Sequence, residues 1–319
     1  DRAMSPDVPA SVKARLLTEA KRQGEGFELV LVRYACARVL YRLGASRIRE
    51  QCTLKGAGLL ALWMADPHRT TRDVDLLATG DGDARGVRSM METICRVPCP
   101  DDGIVFDLDS LSVEPIRDEQ RYAGQRATLR AYLGKARMRL QVDFGFGDAL
   151  HVPPDEVEIP TLIDRVPPPR VRAYPRDATV AEKFEAMVQL GRRNSRMKDF
   201  HDIWALSQTF PFDGGSLREA ISRCFARRGT AWTPEAPDAL TPAFYADTDV
   251  GRRWEAYCRK GQFRASPPRT MREVGDRLRA FLGPVRESIV AGSVFEQRWP
   301  AGGPWDAGVE GDERGKSDG

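Results

Sequence analysis

Two aspartates one residue apart, Asp73 and Asp75, stand in the run Thr70-Thr71-Arg72-Asp73-Val74-Asp75-Leu76-Leu77. On a strand, alternation puts both carboxylates on one face and Val74 and Leu76 on the other. Two acids side by side repel each other and call for a cation. Hard oxygen donors of this kind suit Mg²⁺ or Mn²⁺. A third acid, Asp143, falls on the polar side of another alternating run, with Met138, Leu140, Val142 and Phe144 on the apolar side. Three carboxylates on neighbouring strands are a platform for two metal ions that clamp the attacking and leaving oxygens of a phosphoryl transfer. A solvated strand end is the plainer alternative for such acids.

About fifteen residues before the pair lies Lys55-Gly56-Ala57-Gly58. A glycine turn between a strand and a helix presents backbone N–H groups to a phosphate and lets it approach closely. Lysine is scarce here: of 49 basic residues, counting along the chain gives 8 Lys against 41 Arg. Three of the lysines, Lys55, Lys183 and Lys198, fall in segments that suit phosphate chemistry on other grounds. An ammonium meets a triphosphate as a compact, mobile charge, where a guanidinium is a rigid fork.

These residues need elements to hold them. Apolar spacing predicts two helices over residues 9–43, broken at Gly24–Gly26. A short strand Cys52–Leu54, the glycine turn, an apolar helix through Leu59, Trp63 and Met64, and the strand of Asp73 and Asp75 follow. Residues 83–95 read as a helix. Residues 104–113 and 126–146 read as strands, the latter folded at Gly134-Lys135. Residues 152–178 are proline-rich and read as extended, a natural boundary between an α+β half and a helical half. Beyond them, Val180–Leu190 and Met197–Ser207 form a helix pair, and residues 216–228, 250–260 and 270–290 read as further helices.

Composition excludes several chemistries. The 319 residues suffice for two domains, with 41% hydrophobic and 30% charged residues and a net charge of +3. A charge so balanced is no polycation, although a local basic face is open. No run is long and apolar enough for a membrane helix. The polar, Pro-containing N-terminus predicts no secretory signal on the chain as given, and residues up to Met4 read as an addition. The histidines, His68, His151 and His201, have no metal-pair spacing, and the six cysteines form no CxxC. Reduced thiols are expected. His201, Trp63, Phe200 and Trp204 read as packing residues, while Arg192, Arg193 and Arg196 suit either a solvated helix end or RNA phosphates.

Taken together, Leu54-Lys55-Gly56-Ala57, Arg69-Thr70-Thr71-Arg72-Asp73-Val74-Asp75-Leu76, Tyr122-x-Gly124-x-Arg126 and Gln141-Val142-Asp143-Phe144-Gly145-Phe146-Gly147-Asp148 resemble the AbiEii/AbiGii-type toxin nucleotidyltransferases, of the polymerase-β-like superfamily. The resemblance continues in Tyr174-Pro175, Ala181-Glu182-Lys183-Phe184-Glu185-Ala186-Met187-Val188 and Asn194-Ser195-Arg196-Met197-Lys198-Asp199-Phe200-His201-Asp202. It implies an α+β fold: a nucleotidyltransferase-like mixed β-sheet core with flanking helices plus a helical C-terminal domain. The expected parts are an N-terminal helical element (residues 1–50), the nucleotidyltransferase-like domain (51–160), a helical domain contributing to the active site (161–292) and a disordered tail (293–319).

The activity so implied is Mg²⁺- or Mn²⁺-dependent transfer of a nucleoside monophosphate from an NTP, most naturally to the 3′ end of tRNA. It comes with a toxin–antitoxin or abortive-infection (phage defence) setting, an antitoxin encoded nearby and a bacterial or archaeal cytoplasm. Asp73, Asp75 and Asp143 would hold metal, Asp143 alternatively taking the acceptor's proton. Lys55 and Lys183 would touch phosphates, with Gly56, Ala57, Gly58 and Thr71 beside the nucleotide. Asp199, and Asp202 with it, would hold the nucleotide or orient Lys183. The chain departs from the pattern at Gly58, where the superfamily usually has Ser or Thr. The alternatives are a non-catalytic nucleotide- or partner-binding module, and a transferase acting on a protein or small molecule.

Overall fold

The computed structural model describes residues 7–56, 58–59, 63, 73–99, 102–116, 124–147, 153–261, 263 and 266–307. The chain divides into two compact units, Asp1–Pro175 and Arg176–Gly319. The first unit comprises helices α1 (Val8–Gln23) and α2 (Phe27–Ala45), strands β1 (Cys52–Lys55) and β2 (Asp73–Ala78), and helix α3 (Ala84–Cys95). Strands β3 (Ile104–Pro115), β4 (Gly124–Leu133), β5 (Ala136–Phe146), β6 (Asp155–Glu158) and β7 (Arg170–Ala173) follow.

Seven strands form one mixed sheet in the order β3-β4-β5-β2-β1-β7-β6. Strand β2 runs parallel to β5 and antiparallel to β1. One face is largely apolar: Val74, Leu76, Ala127, Leu129, Leu140, Val142 and Phe144 are all buried. The alternate residues of the same strands, from Arg126 to Asp143, form the polar face. Helix α2 lies on the apolar side, since its Arg42 guanidinium sits 4.9 Å over the Phe106 ring, and Phe106 pairs with buried Ala131. Gly44 gives this helix its closeness to the sheet, because a Cβ there would overlap the carbonyl oxygen of Arg170 on β7.

Helix ends follow local chemistry. The side chain of Asp7 accepts from the Ala10 N–H at the start of α1, and Gly24 closes that helix in the left-handed conformation at φ +66°. Asp83 caps α3 by accepting from the Gly86 N–H at 2.7 Å. Each is the residue type that satisfies a helix end's orphaned backbone groups.

The proline-rich run is extended, as its composition predicts. It contributes β6 and β7 to the sheet, and the two-unit boundary falls at its end rather than near residue 160. Its anchor is a buried cation: Arg38, fully enclosed in α2, donates to the Pro167 carbonyl at 2.8 Å. Prolines give no periodicity, so the strands between them leave no pattern in the sequence.

The second unit contains α4 (Arg176–Leu190), α5 (Met197–Thr209), α6 (Gly214–Arg228), the short α7 (Pro242–Tyr245), α8 (Thr248–Lys260) and α9 (Met271–Ala291). Strands β8 (Phe212–Asp213), β9 (Gln297–Trp299) and β10 (Asp306–Ala307) form a small antiparallel sheet. Residues 293–307, expected as part of a disordered tail, are therefore folded. Trp299 is buried, its indole N–H donates to the Ser207 carbonyl at 2.7 Å, and Trp305 donates to the Phe281 carbonyl at 2.8 Å. Two indoles and Phe295 outweigh the polar composition around them. Residues 308–319 lie outside the described residues. Among the described residues, no helix is long and apolar enough to cross a membrane.

One buried ion pair ties α2 to the entrance of β3. Arg42 donates to both oxygens of Asp102, at 2.6 and 3.3 Å. Asp102 also accepts from the Ile104 N–H at 3.0 Å, and its carbonyl accepts from the Tyr34 hydroxyl at 2.9 Å. Asp102→Ala strands a buried guanidinium and is expected to cost about 3–5 kcal/mol. Arg49→Ala, which breaks the exposed Arg49–Glu156 pair, should cost under about 1 kcal/mol. Urea unfolding of both variants measures the contrast.

Candidate active site

The polar face of the sheet brings four charged side chains into one row. Lys55 on β1 pairs in register with Asp75 on β2, Asp75 pairs with Asp143 on β5, and Asp143 pairs with Arg126 on β4. A second row lies beside it, with Asp73 opposite Gln141 and Gln141 opposite Thr128. All three carboxylates singled out by the sequence thus sit on adjacent positions of one face.

Each has a defined environment. Arg126 grips Asp143 with both prongs, Nε to Oδ1 at 2.9 Å and Nη2 to Oδ2 at 2.8 Å. The hydrogen bond to Asp143, with the nearby charges of Asp143, Asp73 and Asp75, raises the Arg126 pKa further above its ordinary value. Gln141 donates to Asp143 Oδ2 at 3.2 Å and reaches Asp73 Oδ2 at 3.5 Å. Asp75 lies against the glycine turn. Gly56 has φ +72°, and a Cβ there would overlap the Asp75 carboxylate. Only glycine adopts that turn without strain and leaves room for the acid. Lys55 extends across β2 until its ammonium stands over Gly145, where a Cβ would fall 2.9 Å from Nζ.

Among the described residues, no three His, Cys, Asp or Glu side chains are gathered closely enough to hold a metal ion. Both oxygens of Asp143 are held by Arg126. The donor set itself fits a hard divalent cation, being all oxygen, thrice anionic and free of soft ligands. An incoming cation would take over the role that Arg126 plays for Asp143.

The remaining expected residues fall as follows. Gly58 stands in the helical turn after Gly56. Among the described residues, a Cβ on it would meet only the Leu54 Cδ1, at an ordinary 3.8 Å. Ala57 and Thr71 lie outside the described residues. Lys183, Asp199 and Asp202 meet within the second unit. The Lys183 ammonium donates to Asp199 Oδ1 at 3.0 Å and to Asp202 Oδ2 at 2.7 Å. Arg196 adds an ion pair to the other Asp199 oxygen at 2.7 Å. Both acids are buried. Asp202 pairs with Lys183. His201 is buried among Trp204, Trp254, Tyr257 and Phe263, in keeping with a packing residue.

Burial pushes the thiols of Cys36, Cys52, Cys95 and Cys224 up to about 12, where the reactive thiolate is negligible at neutral pH, and raises those of half-buried Cys99 and Cys258 as well.

Sequence reasoning assigned no role to Arg126, Gln141 or Gly145. The signal for Arg126 was present, because counting back from the two-residue turn at Gly134-Lys135 pairs it with Asp143. Gly56→Ala forces a Cβ into the Asp75 carboxylate and is expected to lower nucleotidyl transfer at least about 100-fold, the scale of an ångström-sized misplacement. Circular dichroism should show the fold retained.

Comparisons with known proteins supply the family. Residues 38–281 match the family model described as nucleotidyl transferase AbiEii toxin, type IV TA system. Similar solved structures include a "putative nucleotidyltransferase" from H. pylori, at 14% identity and TM-score 0.45, covering 81% of this chain and 94% of that one. Another is JHP933 from Helicobacter pylori, at 14% identity and TM-score 0.43, covering 80% and 90%. Among curated proteins, none matches the sequence. The family match spans more than half of the chain, and the chain belongs to the AbiEii family of nucleotidyltransferase toxins of type IV toxin–antitoxin systems.

Proposed function

We propose that this nucleotidyltransferase moves a nucleoside monophosphate from an NTP to the 3′ end of tRNA, with divalent-metal dependence, and that it acts in the cytoplasm as the toxin of an abortive-infection system. The family brings an NTP substrate and an antitoxin partner. The observation that carries the reading is the cross-strand row Lys55–Asp75–Asp143–Arg126. It sets two carboxylates side by side, flanked by one cation at each end.

Asp73 and Asp75 would hold the divalent ions, with Asp143 joining as Arg126 lets go. Ions bound there would neutralise the triphosphate and ease ionisation of the acceptor hydroxyl. Lys55 would touch the phosphates beside the Gly56 turn, whose backbone can approach them because no side chain intervenes. The acceptor oxygen then bonds to the α-phosphorus as the bond to the departing pyrophosphate breaks. Asp143, once free of Arg126, can receive the hydroxyl proton. Lys183, clasped by Asp199 and Asp202, would meet a phosphate in the role the family resemblance gives it. Positioning and charge neutralisation supply most of such catalysis.

Incubation with each labelled NTP, total tRNA and Mg²⁺ tests the proposal. Label should enter tRNA, and Asp75→Asn should reduce its rate at least about 100-fold, as loss of a charge-stabilising group in a transfer site does. Label transfer that survives Asp75→Asn would overturn the site. Nucleotide binding without turnover on any RNA would favour the non-catalytic module, and label on protein or small molecules would replace the acceptor.

A further inference from the structure

The polar sheet face continues past the acid row. Along β5 the side chains on this face are Arg137, Arg139, Gln141 and Asp143, and along β4 they are Arg126, Thr128, Arg130 and Tyr132. Arg130, Arg137 and Arg139 are exposed. The register sets Arg130 opposite Arg139 and Tyr132 opposite Arg137. Like charges directly opposite each other weaken a sheet, and Asp107, 3.0 Å from Arg130, offsets one of these three.

Strand β3 gives this stripe a wall. Its register with β4 shifts between Asp107 and Ser112. There the Ser110 hydroxyl accepts from the Arg130 N–H at 2.8 Å and donates to the Asp107 carbonyl at 2.7 Å. The result is a groove of about 420 Å³ lined by Ser110, Thr128, Arg130, Arg137 and Arg139. Beyond Arg137, Tyr132 pairs with exposed Val105, a ring and an apolar patch on which a base can stack.

We infer that this face carries the acceptor as a single RNA strand, its terminal hydroxyl at Asp75 and Asp143 and its backbone running back along β5 towards Arg139 and Arg137. The inference rests on the reading that RNA is the acceptor, and adds where it lies and in which direction. Same-face residues on a strand recur about every 6.6 Å, so the guanidiniums form a ladder leading away from the acids. The stripe is two strands wide, about 10 Å, which suits one phosphodiester backbone rather than a duplex. The sign of the charge reverses along it, acidic where cations and a hydroxyl must meet and basic where only phosphates pass.

The test is binding of a fluorescent single-stranded oligoribonucleotide to the full chain over a KCl series. The double variant Arg137→Ser/Arg139→Ser is compared with Arg252→Ser/Arg259→Ser, which removes two exposed charges from the second unit. Thermal unfolding checks that both fold. The sheet-face variant should bind about tenfold or more weakly at low salt, with the slope of log affinity against log salt reduced by about 1.4, near 0.7 for each single-strand phosphate that is no longer neutralised. The control pair should match the wild type. Equal behaviour of the two double variants overturns the inference, as does binding of the duplex in preference to the single strand.

A transfer assay separates this inference from the reading beneath it. If wild type labels RNA and the sheet-face variant does so with unchanged KM, the surface is wrong and the reading stands. If RNA binding depends on Arg137 and Arg139 but no RNA is labelled, the reading is wrong and the surface stands. If the variant loses labelling of an acidic protein instead, the face belongs to a peptide and the RNA assignment is overturned.

Discussion

Repulsion between Asp75 and Asp143 is the constraint around which the first unit is arranged. The parallel pairing of β2 with β5 sets these carboxylates at one register position, and two like charges so placed raise the energy of the fold unless cations attend them. The sheet supplies Arg126 on the β4 side and Lys55 on the β1 side. The glycines at 56 and 145 are consequences of the same demand. One clears space for the Asp75 carboxylate and the other for the Lys55 ammonium. A guanidinium open to solvent could give way to a divalent cation at these acids, because the doubly charged ion is the stronger counter-charge.

The fold makes this row from residues distant in sequence. Antiparallel β1 and β2 bring the glycine turn next to the acids, and the β4–β5 hairpin adds Arg126, Gln141 and Asp143. Rigidity comes from the opposite face, where the aliphatic side chains of β2, β4 and β5 are buried and α2 is tied down through Arg42, Arg38 and the close approach at Gly44. In the second unit the same chemistry takes another form. Lys183 is clasped by two buried acids, so its position is set by charge rather than by apolar packing.

Much of this was legible in the residues. Alternation in residues 73–77 and 138–144 gave the two strands and the face of each acid, and helical spacing gave α1 to α6 to within a few residues. The long hairpin followed from Gly134-Lys135. What escaped notice had physical reasons. Strands β6 and β7 lie between prolines and pair through backbone groups, which carry no side-chain signature. Trp299 and Trp305 were outvoted by the glycines and acids around them, although a buried indole at Trp299 and a half-buried one at Trp305 hold residues 293–307 against α5 and α9. Arg126 was one arginine among many, and only pairing across the hairpin sets it apart. Lys183, Asp199 and Asp202 were found as a group through the family resemblance, and their mutual ion pairs depend on how α4 and α5 pack.

On the proposed function, Asp73, Asp75 and Asp143 would form one cation site once Arg126 yields. Anomalous diffraction from crystals grown with Mn²⁺ and a non-hydrolysable NTP tests it most directly. Mn²⁺ peaks are expected between the carboxylates of Asp73, Asp75 and Asp143, with the Arg126 guanidinium displaced from Asp143. Manganese bound elsewhere, with the Arg126–Asp143 pair intact beside a bound nucleotide, would contradict it.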